Sequence, residues 1–378
     1  MSRPLKNISA SCLIPGAFDE NLTAQAAKAC REKLGGAPDL VVAFVTSDYQ
    51  PHLKSLIETL RIDGHAPEIV GCSTCGLAGV GREQERISGI SLLFLKMPST
   101  GVTITSTIPS KRTADAAVVL SNPLDISFES ILEEWGTHHP GIPIVGGSAT
   151  GGPDEDDLFL FTHHGICRED RLIVEFSGGI KLEPLVSHGC RPIGQPFVIT
   201  AAKGCEVYAL GQREPFDVLE EAFASLGNEL QEEAEGNIFA GLVIEEASDE
   251  FQSGDFHIHQ IVSATLNDGR LTLGAPARIG QTMQFQLRDS LVAEKLLESE
   301  CERIFTQSGA PFASLLFMGQ GRGKRLFGAD DRNIRAFEDI FGQIPLAGIY
   351  SFSEVGTVDS KSLRYNHSVC GALFYSAD

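Results

Sequence analysis

The stretch IPIVGGSATG, residues 142–151, returns twice in altered form, as PEIVGCSTCG at residues 67–76 and as IPLAGIYSFS at residues 344–353. Each version has a proline, small apolar residues, a glycine and then small or hydroxylated residues. Each follows a predicted helix and precedes a further apolar strand. Such recurrence predicts an architecture built by repetition. Because glycine-rich turns at strand ends leave backbone amides open, we expect this repeated motif to mark a place where a ligand sits.

The apolar runs around the repeated motif predict an α/β fold. Residues 40–45 and 116–120 have the composition of buried strands, and residues 51–60 and 128–135 have that of the helices that follow them. The same order of strand, helix, Gly-ended strand and further strand returns near the C-terminus. We therefore predict two lobes of layered sheets flanked by helices, built from repeated strand-helix-strand-strand units.

A change in composition predicts where the two lobes divide. Around residues 178–196, Gly, Pro and short apolar pieces alternate. This break predicts an N-terminal domain of residues 1–185 and a C-terminal domain of residues 186–378. Beyond the break, apolar runs joined by turn residues predict a meander of strands between residues 240 and 273.

The composition is that of a globular protein in a reducing compartment. Of the 378 residues, 42% are hydrophobic and 21% are charged, which is typical of soluble domains. No apolar run approaches the length of a membrane span, and the N-terminus shows no secretory signal, so we expect no membrane insertion and a cytoplasmic location. The nine cysteines are scattered and odd in number, which favours free thiols over a disulfide framework.

The charge excludes one class of partner. The chain has 30 basic and 50 acidic residues, giving a formal net charge of −20. A nucleic-acid-binding protein needs a positive face that displaces counterions from phosphates. We therefore expect no nucleic-acid partner.

Several motifs, taken in order, resemble one family. They are IVGCSTCG at residues 69–76, VGGSA at 145–149, RPIGQPF at 191–197, GQTMQFQLRD at 280–289, GRG at 321–323, AGIYSFSEVG at 347–356 and NHS at 366–368. In this order they resemble the FIST proteins, which have an N-terminal and a C-terminal FIST domain. The resemblance covers most of the chain and assigns the two predicted domains to FIST N and FIST C.

The resemblance implies a cytoplasmic sensory module without catalytic activity. Such proteins bind a small-molecule ligand and pass the signal to a histidine kinase or other signalling protein. One subgroup binds haem non-covalently and senses nitric oxide. For this chain the resemblance therefore implies haem b as cofactor, nitric oxide as signal and a histidine kinase as partner.

Histidines are the candidate axial ligands of a haem iron. A b-type haem is usually held by a neutral imidazole in an apolar pocket. We expect His259 or His188 to take this role. His257 and His259 alternate on one predicted strand, so both should face the same side. The alternative for each is an ordinary surface or hydrogen-bonded histidine.

Two arginines are the candidate anion-binding residues. The fork of a guanidinium matches the two oxygens of a carboxylate, so Arg288 or Arg322 would hold haem propionates or a carboxylated metabolite. The glycines on both sides of Arg322 favour this role. The alternative for Arg288 is an ion pair with Asp289 or another nearby acid that braces a strand.

The remaining candidate ligand-binding residues come from the motifs themselves. Ser73 and Ser148 could donate hydrogen bonds from the glycine-rich turns. Glu354 and His367 lie in the C-terminal motifs that carry the resemblance. For the Cys72–Cys75 pair we favour two small residues in a tight turn over a redox or metal site, because no second pair completes a zinc site.

Three functions follow from these residues, in order of preference. The first is a haem-based nitric oxide sensor. The second is a sensor of a small carboxylated metabolite such as an amino acid, held by Arg288 or Arg322. The third is a hydrolase using Ser73 or Ser148, although the G-x-S-x-G nucleophile pattern is absent from both turns.

Overall fold

The chain divides into two units, and the first is discontinuous in sequence. The computed structural model describes residues 6–109, 114–152, 154–234, 236–244, 251, 255–265 and 267–377. The first unit contains Met1–Val186 and Leu297–Asp378, and the second contains Ser187–Leu296. The domain limits expected from the sequence, residues 1–185 and 186–378, stay a prediction.

The N-terminal stretch of the first unit contains thirteen described strands and three α-helices. The strands are β1 (Ile8–Pro15), β2 (Leu40–Thr46), β3 (Ile69–Thr74), β4 (Gly76–Gly79), β5 (Arg82–Glu85), β6 (Gly89–Lys96), β7 (Gly101–Thr105), β8 (Ala116–Ser121), β9 (Ile144–Ser148), β10 (Leu160–Thr162), β11 (Gly165–Ile166), β12 (Arg171–Ser177) and β13 (Ile180–Ser187). The helices are α1 (Glu20–Lys33), α2 (Leu53–Ile62) and α3 (Phe128–His138), with 3₁₀ turns at Ser47–His52 and Glu155–Asp157.

The second unit and the C-terminal stretch supply the other elements that the structure describes. In the second unit these are β14 (Cys190–Pro192), β15 (Phe197–Lys203), β16 (Glu206–Leu210), α4 (Pro215–Ala224), α5 (Asn228–Ala234), β17 (Ile238–Val243), β18 (Phe256–Ala264), β19 (Leu271–Leu273) and β20 (Thr282–Arg288). Helix α6 (Ser290–Ser308) leads back to the first unit. The C-terminal stretch contains β21 (Ala313–Gly319), α7 (Lys324–Phe327), α8 (Arg332–Phe341), β22 (Leu346–Ser351), β23 (Glu354–Val358), β24 (Lys361–Tyr365) and β25 (Val369–Ser376).

Three six-stranded sheets form the first unit. Their strand orders are β1-β6-β2-β3-β10-β11, β24-β23-β9-β8-β12-β7 and β13-β25-β21-β22-β4-β5. The C-terminal strands complete this unit, because β22 pairs with β4 and β23 pairs with β9. The prediction of a mixed α/β fold with several sheets and flanking helices is confirmed.

Each of the three sheets in the first unit contains one parallel pair of strands, and a helix separates the two strands in sequence. The pairs are β2–β3, β8–β9 and β21–β22. An antiparallel strand lies on the other side of the first strand in each pair, namely β6, β12 and β25. The three segments therefore share one pairing pattern, while their origin as copies of a single unit stays a prediction.

The glycine at the fifth position of the repeated motif is required by strand packing. A Cβ atom at Gly71 would lie 1.9 Å from the carbonyl oxygen of Ala43, and one at Gly146 would lie 1.8 Å from that of Val119. At Gly348 the corresponding distance, to Leu316, is 2.8 Å. Because a real Cβ cannot approach that closely, each parallel pair needs glycine at this register position.

One apolar core is shared by the three sheets. It contains Phe44 from the first sheet, Leu120 from the second and Phe317 from the third, all fully buried. Separate clusters pack the outer faces against helices, including Leu56 of α2, Trp135 of α3 and Phe337 of α8. Because both faces of their central strands are covered, the strands have the continuous apolar sequences from which they were predicted.

The strands of the second unit close into a ring. The antiparallel pairings run β20-β15-β16-β19-β18-β17 and return from β17 to β20, with β14 attached to β20. Closure leaves the ring without open edges. Its interior holds apolar side chains such as Ile199, Leu271 and Phe285, with Val218 of α4 in the same cluster. The predicted meander between residues 240 and 273 corresponds to β17, β18 and β19.

Candidate functional site

Hydroxyl groups near the ends of β3, β9 and β22 are buried together in the first unit. The Ser148 Oγ lies 2.8 Å from the Oγ of Ser121 and 2.8 Å from that of Ser353. The Thr150 Oγ1 donates to the carbonyl of Tyr350 at 2.6 Å. These side chains are at most 2% exposed. The Thr150 Oγ1 also accepts from the Cys75 N–H at 2.9 Å, so the hydroxyls of the repeated motif link its three copies to one another.

The backbone amides of the motif are also used inside the fold. The Ser73 N–H donates to the carbonyl of Phe159 at 2.9 Å, and the Ser148 N–H donates to that of Ser353 at 2.8 Å. The expectation that these turns leave amides open to a ligand is wrong at both positions, because long-range strand contacts occupy them. A serine hydrolase needs a histidine base hydrogen-bonded to the nucleophilic hydroxyl. Among the residues described, neither the Ser73 nor the Ser148 hydroxyl is hydrogen-bonded to a histidine.

The Cys72–Cys75 pair also lies in this packed region. Cys72 is fully buried, and burial raises the pKa of its thiol strongly. The Cys75 Sγ accepts a hydrogen bond from the Gln320 Nε2 at 3.3 Å. A neutral, buried thiol is a poor nucleophile and a poor metal ligand. Cys72 lies inside β3 and Cys75 lies in the bend between β3 and β4, so the interpretation of the pair as two residues of a tight turn is wrong for Cys72.

Glu354 holds two segments of the first unit together. Its Oε1 accepts from the Ser351 hydroxyl at 2.9 Å, and its Oε2 accepts from the Ser368 N–H at 2.9 Å. The carboxyl group is fully buried. The neighbouring His367 is half-buried, adopts a φ of +59°, and places its Nδ1 3.4 Å from the carbonyl of Gln320.

Arg322 is fully buried and begins a polar chain that ends at α8. Its Nε donates to the Asn333 Oδ1 at 3.2 Å, and the Asn333 Nδ2 donates to the Glu83 Oε1 at 2.9 Å. The N–H groups of Asn333 and Ile334, in the first turn of α8, also donate to this carboxyl group. Burial raises the pKa of Glu83 to about 7, although these hydrogen bonds and the charge of Arg322 act in the opposite direction. No sequence pattern indicated Glu83.

Strand β20 of the second unit has two buried faces of different character. Met283, Phe285 and Leu287 point into the apolar interior of the ring. Gln284 and Gln286 alternate with them and project from the opposite face, where they are 8% and 1% exposed. The Gln284 Nε2 donates to the carbonyl of Gly194 at 2.8 Å, so one of these two amides has a partner within the unit.

The other amide, Gln286, is the unusual feature of the second unit. Neither its Nε2 nor its Oε1 has a hydrogen-bond partner among the residues that the structure describes. Phe239 lies opposite it on β17, and a Cβ atom at Gly241 would lie only 2.7 Å from the Gln286 Cγ. Buried polar groups without partners are rare in native proteins and mark places where something else completes the bonding.

The surroundings of Gln286 combine a cation with aromatic rings. Arg288, two residues along the strand, is 7% exposed and lies opposite Cys190 on β14. Cys190 belongs to an apolar cluster with Phe239 and Phe256. We call the set formed by Gln286, Arg288, Cys190, Phe239 and Phe256 the β20 face. It contains one guanidinium and one carboxamide beside an apolar wall.

The neighbouring Asp289 has partners other than the expected one. The Arg191 Nε donates to its Oδ2 at 3.2 Å. Its Oδ1 accepts from the N–H groups of Leu291 at 2.9 Å and Val292 at 3.1 Å, which caps the start of α6. Asp289, which follows Arg288 in sequence, therefore caps α6 and pairs with Arg191.

The two predicted axial histidines occupy different places in the second unit. His257 and His259 face the same side of β18, as predicted, with ring centroids 6.1 Å apart. They lie opposite Leu242 and Ala240, whose side chains belong to the interior of the ring. Burial, together with His257, lowers the pKa of His259 to about 4, so its imidazole is neutral near pH 7. His188 is buried in the segment before β14.

One cavity of the second unit is a poor fit to haem. A pocket of about 570 Å³ lies against α4, and its lining contains no histidine and no basic side chain, while Glu220 would repel propionates. Within the described part of the chain, no three His, Cys, Asp or Glu side chains are grouped as a metal site. Nor is any helix there both long and apolar enough for a membrane span.

Comparison with known proteins identifies related sequences along most of the chain. An uncharacterised protein of Mycobacterium tuberculosis is 29% identical over 365 residues, which cover 93% of this chain and 95% of the relative. An uncharacterised protein of Mycobacterium bovis is 29% identical over 378 residues, which cover 96% and 97%.

Two family models account for the resemblance noted in the sequence. The model of the FIST N domain matches residues 39–213, and the model of the FIST C domain matches residues 215–357. FIST domains are in general sensory, ligand-binding domains of signal transduction. Because both matches are present and adjoin in the family's order, the chain belongs to the FIST-domain proteins.

Proposed function

We propose that this FIST protein senses a small carboxylated molecule with an apolar body, such as an amino acid, at the β20 face. The observation that carries the proposal is the carboxamide of Gln286, buried without a hydrogen-bond partner in the described part of the chain. Leaving such a group unsatisfied costs about 1–3 kcal/mol. A bound molecule that completes its bonds recovers that free energy.

The neighbouring side chains support the class of ligand. Arg288 has five N–H donors in a fork that can donate to both oxygens of a carboxylate, even when another group already engages part of it. Gln286 can donate to one polar group of the ligand and accept from another. Phe239 and Phe256 provide the apolar surface on which the body of the molecule would rest.

Signalling would follow from a shift in population. A ligand that binds one arrangement of the protein more tightly than another favours that arrangement, and the partner responds to the altered surface. The partner we propose is a histidine kinase or other signalling protein, with the protein acting in the cytoplasm and without catalysis. The supporting evidence is the FIST family membership.

The test is ligand binding by calorimetry with matched probes. Leucine and phenylalanine should bind, while their amides, which lack the carboxylate, should bind at least tenfold more weakly. Arg288→Met and Gln286→Met should each abolish binding. Gln212→Met makes the same side-chain change at an exposed position of the second unit and should leave binding intact.

Two results would overturn this proposal. One is equal binding of the acids and their amides, since Arg288 would then have no role. The other is a Soret band after haem reconstitution that shifts with nitric oxide, is lost in His188→Ala or His259→Ala, and persists in Arg288→Met. That second result would instead support the haem-based nitric oxide sensor.

A further inference from the structure

The pocket against α4 lies on the side of the closed sheet opposite the β20 face. Its volume is about 570 Å³, within the range of small-molecule sites. Phe216, Leu219 and Phe223 line it from α4, and Ile238 and Ile261 line it from the adjoining ends of β17 and β18. Ile238 pairs with Leu287, so these strand residues face the ring interior and not the β20 face.

The helix presents one continuous apolar stripe to this pocket. Phe216, Leu219 and Phe223 follow the i, i+3, i+7 spacing that places side chains on one helix face. All three are only partly buried, although Val218 and Ala222 of the same helix reach the core. Helix α4 therefore closes the interior of the ring while leaving an apolar concavity beside it.

The charge around the pocket has one sign. Glu220 is the charged residue of the lining. Helix α4 and the residue before it contain the acids Glu214, Asp217, Glu220 and Glu221 and no lysine or arginine. Arg213, just before them, is paired with Glu221 at 2.5 Å. Such a segment attracts cations and disfavours anions.

We propose that this pocket binds a small organic cation, an apolar or aromatic group that carries an amine. The apolar group occupies the space between Phe216, Phe223, Ile238 and Ile261. The ammonium group lies at the rim, beside the carboxylate of Glu220. This site is separate from the β20 face, since the two sets of side chains project from opposite sides of the sheet.

Three probes that share one ring system test the ligand class. They are 2-(2-naphthyl)ethylamine, 2-(2-naphthyl)ethanol and 2-naphthylacetate, titrated by calorimetry into the full chain. The amine should bind most tightly, the alcohol less tightly and the acid least. Equal or tighter binding of the acid would overturn the proposal, as would the absence of binding by both the amine and the alcohol.

Variants of α4 locate the site. Glu220→Gln should weaken the amine about threefold to fivefold, because an exposed carboxylate contributes modestly, and should leave the alcohol unchanged. Asp217→Asn, the same loss of charge at an exposed residue outside the lining, should have less effect. Ala224→Phe, which fills the pocket, should weaken both probes. Equal effects of Glu220→Gln and Asp217→Asn would contradict the assigned position of the ammonium group.

The β20 variants separate this inference from the proposed function. Gln286→Met and Arg288→Met should not change the affinity for the naphthyl amine. If either abolishes it, the pocket against α4 is not an independent site. If the amine binds normally to variants that no longer bind leucine, the two sites are independent and both proposals are supported.

Discussion

Glu354 in the first unit and Gln286 in the second are both buried polar side chains, but their hydrogen bonds differ. In the first unit the carboxyl group of Glu354 accepts from Ser351 and Ser368, and the Ser148 hydroxyl lies within hydrogen-bond distance of two others. In the second unit the Gln286 amide is equally buried and lacks a partner among the residues described. The depth of burial is the same in both regions. A buried polar group whose hydrogen bonds are made within the protein stabilises the fold, whereas one whose hydrogen bonds are not made can bind a ligand.

The largest effect expected in the first unit comes from breaking its polar chain. Arg322→Met leaves the carboxyl group of Glu83 buried without its cation, which should lower the free energy of unfolding by about 3–5 kcal/mol at pH 8. Urea unfolding followed by the fluorescence of Trp135, the single tryptophan, measures this in the first unit. Arg325→Met, an exposed neighbour, is the control. A loss below about 1 kcal/mol would show that Arg322 is not needed for the fold.

A second test concerns the repeated motif. Gly146→Ala places a Cβ against the carbonyl of Val119 and should destabilise the protein by about 1–3 kcal/mol or more. Gly136→Ala, in α3 with open space around it, should instead stabilise it by about 0.5–1 kcal/mol. The same urea titration compares them. Equal effects would mean that strand packing does not explain the conserved position within the three motif copies.

The pH dependence of the first unit provides a smaller effect. Because the pKa of Glu83 is raised in the folded state, the folded protein keeps a proton that the unfolded chain releases between about pH 4.5 and 7. Stability from this group is therefore present at low pH and lost as the pH rises to 7. Glu83→Gln should gain roughly 1–3 kcal/mol relative to the wild type between pH 5 and pH 8. A constant difference between the two proteins at both pH values would argue against the raised pKa.

The sequence predicted the parts of the fold that depend on local patterns. The runs at residues 40–45 and 116–120 lie within β2 and β8, because strands covered on both faces are continuously apolar. The repeated motif was recognised in the sequence, but the reason for its glycine was not. The glycine is needed because Gly71 packs against the carbonyl of Ala43, which is far from it in sequence. Closure of the sheet in the second unit and the return of the C-terminal strands to the first unit depend on long-range pairings of the same kind.

The candidate site was predicted less completely than the fold. Arg288 was identified from the chemistry of its guanidinium, and it lies beside Gln286 as part of a buried polar row. Gln286 itself gave no signal, because a glutamine in an alternating strand is typical of a solvent-facing position. Ser73, Ser148, Glu354 and Arg322 carry the right chemical groups, but the sequence cannot show that the fold already uses them.

The most direct test of the comparison is the stability of Gln286→Met without ligand, measured by hydrogen exchange of the β17 and β20 amides, together with its binding of leucine. Removing an unsatisfied buried amide should stabilise these strands by about 1–2 kcal/mol while abolishing binding. Gln212→Met should change neither quantity. Destabilisation by Gln286→Met with binding retained would contradict the account, because the amide would then belong to the fold in the way that Glu354 does.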